Sequence, residues 1–337
     1  MSGSVQNKVP CVFKTIVVEG KSSKRAHQQY KVVASREIKE IALQADIEQA
    51  SPTEKIDGTC VYVHDFQGKP WLWARHDRKP TKQADKKFKR YQTNQRTSEL
   101  DGETENEVTP WQWNAEKDFR EAPENWIPAK GVPVIDGIAQ PDENGHIPGW
   151  VPLDKNNRQY CWHNTVVDHK QGVAVVLRPS ADGNKDELEV SISNLSSLLE
   201  RTLELIGTNI NANPYGIGCK KNPIHLLIPH GAIGLNDQLT VNYDDLKEWF
   251  ETKDNGKVEG LVWHCKNGEL FKFHRHHFGL PWPVDDLHLC RQPIRFALDP
   301  SRFECDFDAK SMFTVLSQFD GQLFDQMKDI PWGEGVD

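Results

Sequence analysis

The chain has no apolar stretch approaching the roughly 18 residues of a membrane-spanning helix. Its opening Met-Ser-Gly-Ser-Val-Gln-Asn-Lys also lacks the apolar core of a secretory signal. An intracellular protein, cytosolic or nuclear, with no membrane partner is therefore expected. A disulfide framework is missing too: Cys11, Cys60, Cys161, Cys219, Cys265, Cys290 and Cys305 form no CxxC pair, which fits reduced thiols rather than a stapled secreted scaffold. Nor is there an excess of positive charge. With 41 Lys and Arg against 49 Asp and Glu, the net charge of -8 excludes coating of nucleic acid by bulk charge and confines any such site to a local patch. Internal repeats and a nucleophile-elbow pattern are absent, which removes solenoids and Ser hydrolases from consideration. Core formers are well supplied. Hydrophobic residues make up 37% of 337 positions and include eleven Trp, enough for one large domain or two modest ones and too many for a disordered chain.

Periodicity gives an α+β pattern. β-Branched runs at 11–18 and 30–34 read as strands, 41–47 as a short helix, and Ser51-Pro52-Thr53 as a break. A hairpin follows, from Thr59 through the turn Phe66-Gln67-Gly68-Lys69 to a strand at 71–75. Residues 78–90 hold seven basic side chains and one acidic one in a helix-forming sequence after Pro80; the acidic stretch 98–109 reads as a mobile loop. A strand is expected near Tyr160-Cys161-Trp162. Further strands are expected at 173–177, 188–192, 202–206 and 225–229, with helices at 195–201 (capped by Ser193), 244–251 and 309–319, and a hairpin over 258–275.

Three segments could carry chemistry. Glu54-Lys55-Ile56-Asp57-Gly58 matches the Lys-x-Asp-Gly signature of covalent nucleotidyltransferases, although four letters alone equally describe a solvated Lys-Asp turn. A nucleophilic lysine must lose its proton, which neighbouring cations or a metal promote. Around the second segment, if Asn267-Gly268 is a two-residue type I′ turn, Trp263 faces Lys272, Leu261 faces His274 and Glu259 faces His276. Glu259, Lys272 and His274 then share one face, where a carboxylate can hold Mg²⁺ and an ammonium can neutralise phosphate oxygens; exposed strand charges are the alternative. The third is Glu204 within Leu-Glu-Leu-Ile-Gly, followed by Asn213-Pro214-Tyr215-Gly216. Its carboxylate either faces solvent or accepts from a ligand such as a ribose hydroxyl.

In order and type these segments resemble the motifs of ATP-dependent RNA ligases, and most closely the vertebrate-type 5′-to-3′ RNA ligases. That closer likeness spans nearly the whole chain through Ala74-Arg75, Ile147-Pro148-Gly149-Trp150, Tyr160-Cys161-Trp162-His163 and His274-Arg275-His276-His277. The resemblance implies an ATP-grasp-like nucleotidyltransferase fold, with antiparallel sheets flanking a nucleotide cleft. It implies an adenylation domain over 1–280 with an insertion at about 92–170, and a C-terminal helical extension over 281–337 packed on the same domain. Lys55 would carry AMP through a phosphoramidate. Glu54 would lie at the adenine edge, with Asp57 and Gly58 beside the nucleotide, and Arg75 would contact the nucleotide or the RNA end. Glu204 would hold the ribose, Glu259 the catalytic Mg²⁺ or Mn²⁺, and Lys272 the α-phosphate. His274 stands where related ligases often have a second lysine, so charge there depends on pH.

The expected partners are ATP and RNA 5′-phosphate and 3′-hydroxyl ends, acted on by a monomer. For the RNA backbone, Arg78, Lys79, Lys82, Lys86, Lys87, Lys89 and Arg90 form a candidate track, with Phe88 and Tyr91 available for base stacking; a solvated helix face is the alternative. A zinc site among His264, Cys265, His274, His276 and His277 is disfavoured because the hairpin alternates them between faces. DNA ligases and capping enzymes share the lysine chemistry but carry a further OB-fold domain, for which too little chain follows Lys272. The other competing class is an RNA-binding module on a ligase fold without activity.

Overall fold

The computed structural model describes residues 4–20, 29–100, 110–180, 187–235, 237–299 and 307–332, with side chains at 95–100 excepted. Of the loop expected at 98–109, residues 98–100 continue a helix that starts at Lys82 instead, and 101–109 lie outside the described residues, as do the polar turns at 21–24 and 181–186. Two compact units emerge, one formed by 1–5, 9–72 and 153–337, the other by 6–8 and 73–152.

In the first unit the chain opens with β1 (Phe13–Glu19) and β2 (Tyr30–Ile38), an antiparallel pair. There follow α1 (Glu40–Gln44), β3 (Ser51–Glu54), β4 (Thr59–Phe66) and the start of β5 (Lys69–Arg75). The last three residues of β5 enter the second unit, which adds α2 (Lys82–Leu100), β6 (Ile127–Pro128), β7 (Val134–Ile135), β8 (Ile138–Ala139) and β9 (Gly149–Pro152). There β9 lies between β5 and β6, and a small core gathers Phe119, Ala139 and Ile147 with Trp113 and Trp126. Back in the first unit come β10 (Val167–Asp168), β11 (Val173–Pro179), β12 (Leu188–Asn194), β13 (Thr202–Gly207), β14 (His225–Pro229), α3 (Tyr243–Thr252), β15 (Gly260–His264), β16 (Leu270–His274), β17 (Ile294–Ala297), α4 (Met312–Ser317) and β18 (Leu323–Phe324).

The fold class is α+β, with few helices. In the first unit a large sheet runs β18-β17-β12-β11-β14-β13-β4, and a small one β16-β15-β3. Most pairings are the expected antiparallel ones. The sheet is mixed, however, because β11–β14 and β12–β17 are parallel: each pair is joined by a long crossover that brings the later strand back in the same direction. Residues 281–332 supply strands as well as the six-residue α4, and Phe296, Leu298, Phe313 and Leu316 from this stretch are fully buried with β11, β12 and β14. At about 1.5–3 kcal/mol for each such side chain, the segment is integral to the core.

Local departures from the sequence reading have identifiable causes. Tyr160 lies in a 3₁₀ turn instead of a strand, because Asn157 caps it by accepting the Gln159 N–H. Ser193 remains in β12, and the helix after it shrinks to a 3₁₀ turn over Leu195–Leu198. The β15–β16 hairpin is offset by one residue from the two-residue turn. Cys265 donates to the Glu269 carbonyl (2.9 Å) and Gly268, with φ +89°, sits in the left-handed position of a three-residue loop, while Asn267 Oδ1 accepts the Glu269 N–H. Lys272 consequently faces Val262, His274 faces Gly260, and Leu261 and Trp263 face Phe273 and Phe271 in the core.

Candidate functional site

β3 belongs to the small sheet and β4 to the large one, so Lys55-Ile56-Asp57-Gly58 is the crossing between them. Its backbone is clamped on both sides: Glu54 N donates to Ile233 O and Lys55 N to Gly260 O, both at 2.9 Å. Ile56 anchors the crossing in the core. Gly58 is required by close approach, since a Cβ there would stand 2.3 Å from the Leu205 carbonyl oxygen and 2.8 Å from Glu204 Cγ.

Lys55 Nζ lies 2.6 Å from Glu259 Oε2, with only 23% of its side chain exposed. Burial alone would push this ammonium down; the carboxylates of Glu259, Glu204 and Asp57 outweigh it and hold the pKa above the ordinary lysine value. Glu259 stands in the bend before β15, and this rescues the expected grouping despite the shifted register. Its Oε1 is 3.2 Å from His274 Nδ1 while its Oε2 holds Lys55. Lys272 and His274 share a strand face by alternation. Lys272 is half-buried and fixed through its backbone, donating to Pro10 O (2.8 Å) and accepting from Val12 N (3.0 Å).

Several residues with no sequence signal complete the surroundings. Asp57 accepts from Trp282 Nε1 (2.6 Å) on one oxygen and Asn211 Nδ2 (2.8 Å) on the other, while its N–H donates to the Tyr215 hydroxyl (2.8 Å). Asn211 also donates to Gly58 O, from a loop in which Asn211, Ala212 and Asn213 all have positive φ. The turn cluster after Glu204 pointed to this loop, but Trp282 and His288 lie far along the chain. Glu54 is buried, its Oε2 2.6 Å from His288 Nδ1 and its Oε1 without a hydrogen-bond partner among the described residues. Burial raises its pKa, partly offset by His288. An acceptor so placed suits a donor from a bound ligand.

Glu204 is buried on β13, cross-strand from Cys60 on β4, and its Oε2 lies 2.8 Å from His230 Nε2. Lys55, Glu204, Glu259, Asp57 and Gly58 are thus brought together in the first unit. Arg75 belongs to the second unit, where its guanidinium binds Asp77 and the Gln6 carbonyl and lies over Trp150 at 4.9 Å. The basic run is also there. Lys79, Lys82, Lys86, Lys87, Lys89 and Arg90 are exposed, whereas Arg78 stacks on Trp126 at 5.5 Å and donates to Arg120 O. Phe88 is not a stacking platform. It is buried against Trp111 and Trp113, because Ala84 and Phe88 form the inward stripe of α2. Among the described residues no helix is long and apolar enough to cross a membrane.

A family model described as RNA ligase 1 matches residues 1–333. A protein named RNA ligase 1 from Pongo abelii is 50% identical over 328 residues, covering 97% of this chain and 98% of its own. Proteins of the same name from Rattus norvegicus and Danio rerio are 49% and 47% identical over the same length and with the same coverage.

Proposed function

The chain belongs to the RNA ligase 1 family, and on that footing we propose that it is an ATP-dependent RNA ligase working through a lysyl-AMP intermediate on a nucleotidyltransferase fold. The observation that carries this reading is Lys55 at the crossing of two sheets, ion-paired with Glu259 just before β15 of the small one and under the field of Glu204 on β13 of the large one. Lys55 Nζ attacks the α-phosphorus of ATP; the new P–N bond replaces the bond to pyrophosphate, and the amine proton leaves to solvent. AMP then passes to an RNA 5′-phosphate, and a 3′-hydroxyl displaces it to form the phosphodiester.

The ground-state lysine is an ammonium, so it must be released from its carboxylates before it can attack. Glu259 presents its carboxylate to the lysine, a hard oxygen donor that fits Mg²⁺ or Mn²⁺ completed by phosphate oxygens and water. Such an ion supplies charge neutralisation at the triphosphate. When Glu259 Oε2 turns away from Lys55, the largest charge opposing burial is withdrawn and the pKa of the amine falls. His274, already on Glu259 Oε1, holds the carboxylate in place through this change. Glu54 Oε1 takes the adenine amine, Glu204 the ribose, and Lys272 the α-phosphate. Asp57 keeps the crossing rigid through Trp282 and Asn211, and Arg75 and the exposed lysines of α2 serve the RNA.

Incubation with ATP, a divalent cation and an RNA carrying 5′-phosphate and 3′-hydroxyl ends is expected to yield joined product, and RNA lacking the 5′-phosphate none. Joining that proceeds equally without ATP would contradict the reading.

A further inference from the structure

Beside the lysine, a second group of side chains is built like a chelate. Cys60 and Glu204 are direct cross-strand neighbours on β4 and β13. His230, just past β14, is held opposite Thr202 by its N–H to the Thr202 carbonyl (3.2 Å). The period of two puts the side chains of all three on one face of the large sheet. One ligand atom from each, the Cys60 sulfur, a Glu204 oxygen and a His230 ring nitrogen, lies within 4.8 Å of the others. Among the described residues no other three His, Cys, Asp or Glu side chains meet that condition, the dense histidines 274, 276 and 277 included.

We propose that Cys60, Glu204 and His230 form a site for a thiophilic divalent cation of the zinc class, with the fourth position open to water. One thiolate, one imidazole and one carboxylate make a donor set that prefers zinc over magnesium, and three protein ligands leave a tetrahedral ion one free vertex. The ring that must point at the ion is already oriented: His230 Nδ1 lies 2.9 Å from Thr202 Oγ1, the outer partner that fixes a metal-binding imidazole. With the ring hydrogen on Nδ1 and donated to Thr202, the Nε2 lone pair faces Glu204 and the ion. The Cys60 thiol loses its proton to solvent on binding. Glu204 and His230 keep 11% and 19% of their side chains exposed, so an ion can reach them. If Glu204 holds the ribose, which rests on the function proposed above, a zinc-class ion opposes nucleotide binding where magnesium does not.

Co²⁺ titration of the metal-free full-length chain, followed by absorption, tests the site directly. One equivalent is expected to give the bands of tetrahedral cobalt and a thiolate-to-cobalt charge-transfer band, both displaced by Zn²⁺. Cys60→Ser is expected to lose the charge-transfer band, and His230→Gln to weaken binding by on the order of 10- to 100-fold. Lys55→Arg is expected to keep the full band, so failure of the lysyl-AMP reading and failure of this site are distinguishable. Zinc-edge X-ray absorption of the unmodified protein needs no variant and is expected to show one sulfur scatterer. A wild-type chain without the cobalt bands, a charge-transfer band that survives in Cys60→Ser, or a zinc shell without sulfur would overturn the proposal.

Discussion

At the residue scale, the state of Lys55 is a contest between burial and three carboxylates, and Glu259 at 2.6 Å is the nearest of them. Glu259→Gln removes the largest of the charges that oppose burial, so the pKa of Lys55 is expected to fall. Reductive ¹³C-methylation followed by NMR titration reads this directly, without any catalytic step. An unchanged titration of Lys55 in Glu259→Gln would show that the ion pair does not set its protonation. The same variant is expected to ligate poorly, because the group proposed to receive the ion is lost.

At the element scale, β4 can approach β13 only because position 58 has no side chain. Gly58→Ala forces a Cβ against the Leu205 carbonyl and Glu204 Cγ and is expected to destabilise the fold by about 1–3 kcal/mol, as overpacking does, with a matching loss in denaturant midpoint. A midpoint equal to wild type would mean that the strands yield without cost. The strands of this region were legible in the sequence because short apolar and β-branched runs mark strands buried on both faces, as β13 is along its whole length. The hairpin register was not, since Asn-Gly suits both a two-residue turn and the three-residue loop that forms: a type I′ turn requires positive φ at both Asn267 and Gly268, whereas of the two only Gly268 adopts it. That Lys55, Glu204 and Glu259 would be brought together was readable from their motifs. Trp282 and His288 were not: their contacts with Asp57 and Glu54 span 225 and 234 residues, and neither lies in a local pattern. Phe88 misled for a related reason, as an aromatic on a basic helix looks alike whether it faces RNA or the tryptophans beneath it.

At the scale of the whole molecule, acid stability is expected to depend on two buried histidines, His163 and His169. Burial pushes His163 and His169 down to about 4, and His169 Nε2 accepts the Leu72 N–H, a bond that protonation would destroy. Above the ordinary value of about 6.5 both are neutral in folded and unfolded chains and pH has no leverage through them. Between about 6.5 and about 4 the unfolded chain takes up protons that the folded chain refuses, so stability falls with falling pH, by up to about 3 kcal/mol for each at full extent. Denaturant melts of wild type and of His163→Gln with His169→Gln are expected to converge as pH drops through this window; parallel curves would assign the acid sensitivity elsewhere. The full-length chain also offers the most direct test of the central claim, that Lys55 is the group that carries AMP. After incubation with α-labelled ATP and a divalent cation, denaturing electrophoresis and peptide mass mapping are expected to find one acid-labile AMP on Lys55 and none in Lys55→Arg, whose guanidinium stays protonated. Label on any other residue, or an undiminished adduct in Lys55→Arg, would contradict it.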